Sequence, residues 1–270
     1  MRAIDGHGPL LTRAKVALCF RGAGWTDAHF TTTNARDAFF AAIASPYMSS
    51  LVQYRGIRRA EIVFSTTDLT NIGALGPDPR KFVPGNVWRI PDADIRSAVK
   101  NLVRMRPPGE HEELLYFVVI NQSPIPIVLD ELDASGYHSQ FESDGRSLTY
   151  AVALNIAGQA TDHTFRFLTG VFTHEVVEAC TDPDTTSGYR LDNGDELADL
   201  NDTREVTLPG LDHAVELAAY WSELDQEAVV PTSLSFRIAA GLSRRDALPS
   251  ARAILSGGTM RMFILQGFNP

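Results

Sequence analysis

The chain holds only two cysteines in 270 residues, Cys19 and Cys180. Two thiols cannot build the disulfide framework of a small secreted domain, which points to a reducing compartment, the cytoplasm. Long apolar runs are missing as well. None approaches the roughly 20 residues that a membrane-spanning helix needs. The N-terminal stretch MRAIDGHGPLLTRAKVALCF is broken by Arg2, Asp5, Arg13 and Lys15, so it is not expected to act as a signal peptide. Basic charge is scarce: 24 Lys and Arg stand against 33 Asp and Glu, a net charge of −9. That is the wrong sign for a phosphate backbone, so neither nucleic acid nor membrane is expected as a partner. Two ligand fingerprints fail on one residue each. RGAGWTD offers G-x-G after a strand, but Asp27 stands where a dinucleotide loop needs its third glycine. TDPDTTSG has Ser187 where a calcium loop needs its turn glycine.

What is present is an ordinary globular composition, 44% hydrophobic and 21% charged, without internal repeats or a low-complexity linker. KVALCF (15–20), AEIVFST (60–66), LLYFVVI (114–120) and SLTYAVALNI (147–156) read as strands, the third as a buried one. Asn34 is expected to cap a helix that Pro46 kinks or restarts. Ile95, Val99, Leu102 and Val103 give 92–105 a helical period that Pro107 and Pro108 stop. A Gly/Pro-rich loop is expected over 73–86, a helix from about Thr164 to Cys180, and an Asn-Gly turn in LDNGDE. AVELAAYWSEL fits strand or helix. The expectation is one α/β domain over 1–270, a mixed sheet packed with helices.

Charge is unevenly distributed. Residues 171–230 carry 15 Asp and Glu against two Arg, whereas 231–270 carry five Arg against one Asp. Within the acidic part, FTHEVVEACTDPD sets His174, Glu175 and Glu178 among apolar neighbours. On a helix, positions i and i+4 share a face, so His174 and Glu178 can chelate one ion. Zinc-protease helices use that spacing with two histidines, and the glutamate after the first histidine is the general base. Glu175 takes that place here, while Val176 and Val177 face the core. DNGDELADL, beginning 18 residues beyond His174, offers a third ligand. Glu196 and Asp199 lie three apart and point the same way on a helical turn. Glu196 is expected on the metal and Asp199 as the acid that orients His174.

THEVVEACTDPD, DELADLND and YWSELDQEAVVP resemble three blocks of a bacterial HExxE/TDP family of metallohydrolase-like proteins, itself similar to plant phosphate-induced, exordium-type proteins. SPYMSSLVQYRGI and SGYHS are similar to further segments, so the likeness spans most of 14–231. It implies a zincin-like site on His174 and Glu178, completed by Glu196 or Asp199, with His138 of GYH as a further candidate. The chain departs from the pattern where Asn201 and Ala228 replace two family cysteines. The basic segment 232–270 lies outside the likeness.

The function expected is zinc-dependent hydrolysis of a peptide or another amide, with Glu175 taking the proton of water. Fe2+ or Mn2+ would also suit oxygen-rich ligands. The alternatives are a structural metal in a binding protein, which needs a closed shell of four ligands, and non-hydrolytic metal chemistry.

Overall fold

The computed structural model describes residues 1–26, 31–70, 82–83, 87–109, 112–121, 127–129, 135–155, 161–200 and 202–232. In chain order the first elements are β1 (Ala3–Asp5), β2 (Arg13–Arg21), α1 (Thr32–Ala44), β3 (Arg59–Asp68), β4 (Phe82–Val83), β5 (Val87–Ile90) and α2 (Asp92–Met105). Next come β6 (Leu114–Ile120), β7 (Ile127–Leu129), β8 (Gly136–Ser143), β9 (Arg146–Leu154) and α3 (Thr161–Thr181). The last are β10 (Tyr189–Leu191), β11 (Thr203–Thr207), β12 (Ala214–Ala218), β13 (Tyr220–Ser222) and β14 (Glu227–Val229).

The architecture is mixed α/β. Five strands form the main sheet in the order β3-β2-β6-β9-β8. β2, β3, β6 and β9 run parallel, and β8 pairs antiparallel to β9 along the edge. β6 lies at the centre, and all seven of its residues are buried, as expected of a strand covered on both faces. Its alternation splits the core. Leu115, Phe117 and Val119 face α1 and α3, whereas Tyr116, Val118 and Ile120 face α2. Smaller ribbons pair β1 with β10, β11 with β12 and β13 with β14, so AVELAAYWSEL resolves as strand.

The cap of α1 is Thr31, whose side chain accepts from the Asn34 N–H, so the expected cap at Asn34 sits one turn too late. Ser45 then caps a 3-10 segment, Pro46–Gln53, the restart expected at Pro46. Most of the expected 73–86 loop lies outside the described residues, as do Asp27 and everything from 233 onward. Met1–Ser233 forms one compact unit. Cys19 and Cys180 are unpaired and buried. No helix among the described residues is long and apolar enough to cross a membrane.

α3 positions the site. It is covered almost all round from Leu168 to Thr181. Phe172 stacks on Phe39 with ring centroids 4.0 Å apart and tilts against Phe117 at 4.9 Å. On its other side, Thr173 Oγ1 accepts from the Ala218 N–H of β12 at 3.0 Å and donates to the Thr169 carbonyl. A helix packed on two sides has a fixed rotation, so the direction of each side chain is set.

Candidate metal centre

Two elements converge on the acidic part of α3. His174, Glu175 and Glu178 come from the helix, His138 from β8, and Glu196 and Asp199 from the turn after β10. β8 brings His138 into range because its partner strand carries small residues: His138 pairs with Ala151, and Gly136 with Ala153. Gly136 and His138 are two apart and so face the helix together. A Cβ at Gly136 would lie 2.5 Å from Val171 Cγ1 and 2.9 Å from Glu175 Oε1, so only glycine lets Glu175 sit there.

His174 Nε2 lies 3.1 Å from Glu178 Oε1 and 3.6 Å from Asp199 Oδ1. His138 Nδ1 lies 3.6 Å from Glu175 Oε2 and 3.5 Å from Glu178 Oε2. The cluster thus forms two groups of candidate ligands, His174–Glu178–Asp199 and His138–Glu175–Glu178, each with its ligand atoms within 4.8 Å of one another. The histidine-to-carboxylate separations of 3.1–3.6 Å are near the edge of a tetrahedron about a zinc ion, about 3.3 Å for bonds of roughly 2.0 Å.

Hydrogen bonding leaves this cluster incomplete. Glu175 Oε2, Glu178 Oε1 and Glu196 Oε1 are buried and have no hydrogen-bond partner among the described residues. Glu178 Oε1 has His174 at ion-pair range without hydrogen-bond alignment. Buried oxygens of this kind are costly unless something positive reaches them. His138 Nε2 sits 2.9 Å from the Asp182 carbonyl, which can only accept, so that nitrogen carries hydrogen. Asp182 is in turn locked by Ser187 N–H, Gly188 N–H and Arg190 Nε. The TDPD segment therefore spends its carboxylates on its own loop: Asp184 accepts from Thr186 and Ser187.

Without a cation, protons hold the cluster together. Burial and the charge of Glu178 raise the Glu175 carboxyl. Burial likewise lifts Glu196 to about 8. Burial would raise Glu178 too, but the attraction of the His138 and His174 imidazoles facing it outweighs that and brings it down to about 2. Burial alone would lower both histidines. Asp199 and Glu178 instead carry His174 up to about 11, and Glu175 and Glu178 carry His138 well above its ordinary value.

The placement of the expected residues is plain. His174 and Glu178 share a face and meet as the spacing requires. Of the two acids beyond them, Asp199 joins His174 and Glu178; the spacing had favoured Glu196 for that place and Asp199 as the acid behind the histidine, while the resemblance allowed either. Glu196 turns toward His138 Nε2 and Arg190 Nη2, at 3.5 and 3.4 Å, and joins neither ligand group. The segment from Glu196 to Asp199 is a turn, closed by the Asp199 N–H on the Glu196 carbonyl. Glu175 faces His138. Sequence reading missed β8, Gly136, the Asp182 carbonyl and Arg190. The Gly-Tyr-His sequence of the resemblance was the one signal for that strand. Beside the cluster lies a cleft of about 820 Å³, with Tyr137, Phe167, Asp202 and Glu216 among its walls. Comparison of the chain with family models, with curated proteins and with solved structures returns no match.

Proposed function

We propose that the chain is a metal-dependent hydrolase of peptide or other amide bonds, zincin-like in presenting i and i+4 ligands from one buried helix. The observation that carries this reading is the set of buried carboxylate oxygens without hydrogen-bond partners among the described residues, gathered between two imidazoles at the wall of a cleft. His174, Glu178 and Asp199 would hold the metal. Zinc fits two oxygens and one nitrogen, and manganese or iron would tolerate the same set. Bound there, the metal supplies Lewis acidity toward a carbonyl oxygen and toward water.

The rest of the chemistry belongs to the chain. Glu175, buried beside the ligands, takes a proton from the attacking water. The water oxygen bonds to the amide carbon, the C–N bond breaks, and the leaving nitrogen receives the proton. A purely structural ion would be enclosed by protein. Here the side chains of His174 and Asp199 are 27% and 46% exposed on the cleft, which leaves a side for substrate. The resemblance to the HExxE/TDP family points the same way.

The test is elemental analysis of untagged protein, followed by a screen of peptides and acylated small molecules. About one or more equivalents of zinc, lost together with turnover in His174→Ala and Glu178→Ala, is the expected result. Equal metal content in the wild type and both variants would reject the site.

A further inference from the structure

Glu178 presents its two oxygens to two different histidines. Oε1 faces His174 Nε2 at 3.1 Å, and Oε2 faces His138 Nδ1 at 3.5 Å. We infer that the centre holds two divalent cations, the second between His138 Nδ1, Glu175 Oε2 and Glu178 Oε2, with Glu178 as the bridging carboxylate.

Two observations lead there. The first is the state of His138. Its Nε2–H is fixed on the Asp182 carbonyl, and its Nδ1 is left facing two carboxylate oxygens. A metal-binding imidazole is held in this way, one nitrogen anchored to a backbone carbonyl and the other turned to the ion. His138 is also 5% exposed, on a strand whose Gly136 is kept bare for Glu175.

The second is the oxygens left over. A single ion on His174, Glu178 and Asp199 would occupy Glu178 Oε1. Glu175 Oε2 would remain buried without a hydrogen bond from any described residue, in a side chain 4% exposed. A second ion beside His138 Nδ1 meets that oxygen.

The inference rests on the hydrolase reading of the same cleft and deepens it. Paired ions about 3.5–4 Å apart clamp both the attacking and the leaving atoms of a displacement, and a bridging carboxylate sets that spacing. Glu175 holds the second ion through Oε2 and keeps Oε1 for the proton of water, so its role as base is retained.

Stripped protein titrated with zinc, and separately with Mn2+, tests this. The expected wild-type stoichiometry is two ions per chain. His138→Ala should bind one, and His174→Ala should lose the ion on the Asp199 side. Near-UV circular dichroism checks that each variant is folded. A readout on the wild type alone covers the case in which the variants fail: protein carrying two Mn2+ should show an exchange-coupled electron paramagnetic resonance spectrum in place of the isolated six-line signal. One ion per chain, with an uncoupled spectrum, overturns the second site and leaves the hydrolase reading standing. No bound ion at all removes both.

Discussion

At the scale of single residues, Glu175 carries the sharpest prediction. Glu175→Gln preserves shape and hydrogen-bonding reach but removes the proton acceptor. Turnover should fall by roughly 10²–10⁴-fold, while the thermal stability of the metal-free protein is held or raised, because burial already raises this carboxyl. Activity surviving in Glu175→Gln would move the base elsewhere in the cluster. Gly136→Ala tests the ground beneath it. The new methyl would press on Val171 Cγ1, on the Val152 carbonyl at 2.8 Å and on Glu175 Oε1. A loss of about 1–3 kcal/mol in denaturant titrations is expected, as for overpacked cores; an unchanged midpoint would mean that β8 shifts freely. These residues also mark how far the site is legible in sequence. His174 and Glu178 follow from helical geometry alone, because i and i+4 are fixed by the backbone. Asp199 and Glu196 could be named as a pair, but the order expected of them, Glu196 on the metal and Asp199 behind His174, assumed a helical turn, whereas a turn closed by its own hydrogen bonds aims each side chain separately. His138 lies 36 positions upstream of His174, and only strand pairing across Ala151 brings it near. No local spacing encodes that.

At the scale of elements, α3 is held by Thr173. Its hydroxyl satisfies the Ala218 N–H, and the Ala218 carbonyl receives the Tyr47 hydroxyl at 2.7 Å. Thr173→Val keeps the volume and strands that buried N–H. It should cost about 1–3 kcal/mol, read as a lower denaturation midpoint with metal content unchanged. A neutral result would show that β12 does not fix the rotation of the helix. The elements legible from sequence were those with a single strong pattern. α2 runs over Asp92–Met105 and β6 over Leu114–Ile120, as the helical period and the apolar run require. β8 went unread for a physical reason. It is an edge strand, and Gly136, Ser139 and Gln140 interrupt its apolar residues. Its neighbour β9 is buried over seven consecutive residues and announces itself. The Asn34 cap was a near miss, since threonine and asparagine both cap well and Thr31 to Thr33 precede it.

At the scale of the whole molecule, metal, protons and stability are linked. In the metal-free protein His174 is raised from 6.5 to about 11, which makes it a cation at neutral pH. The sign follows directly. A raised histidine adds stability that is fully present below pH 6.5 and is lost as pH rises through about 11. A metal needs the neutral imidazole and so must displace that proton. Each proton released makes apparent metal affinity climb tenfold per pH unit. Metal stabilises the fold by RT ln(1 + [L]/Kd), about 2.7 kcal/mol at a hundredfold excess over Kd for one site. At fixed zinc, the stabilisation should therefore grow on going from about pH 6 to about pH 8, by up to roughly 2.7 kcal/mol per proton displaced. Thermal unfolding with zinc and with chelator at both pH values measures this difference. Calorimetric titration in buffers of unlike ionisation enthalpy counts the protons. A zinc-induced shift in Tm that is equal at the two pH values, with no proton release, would show that zinc binds away from His174. A shift that shrinks as pH rises would reverse the linkage and remove the histidine from the ligand set.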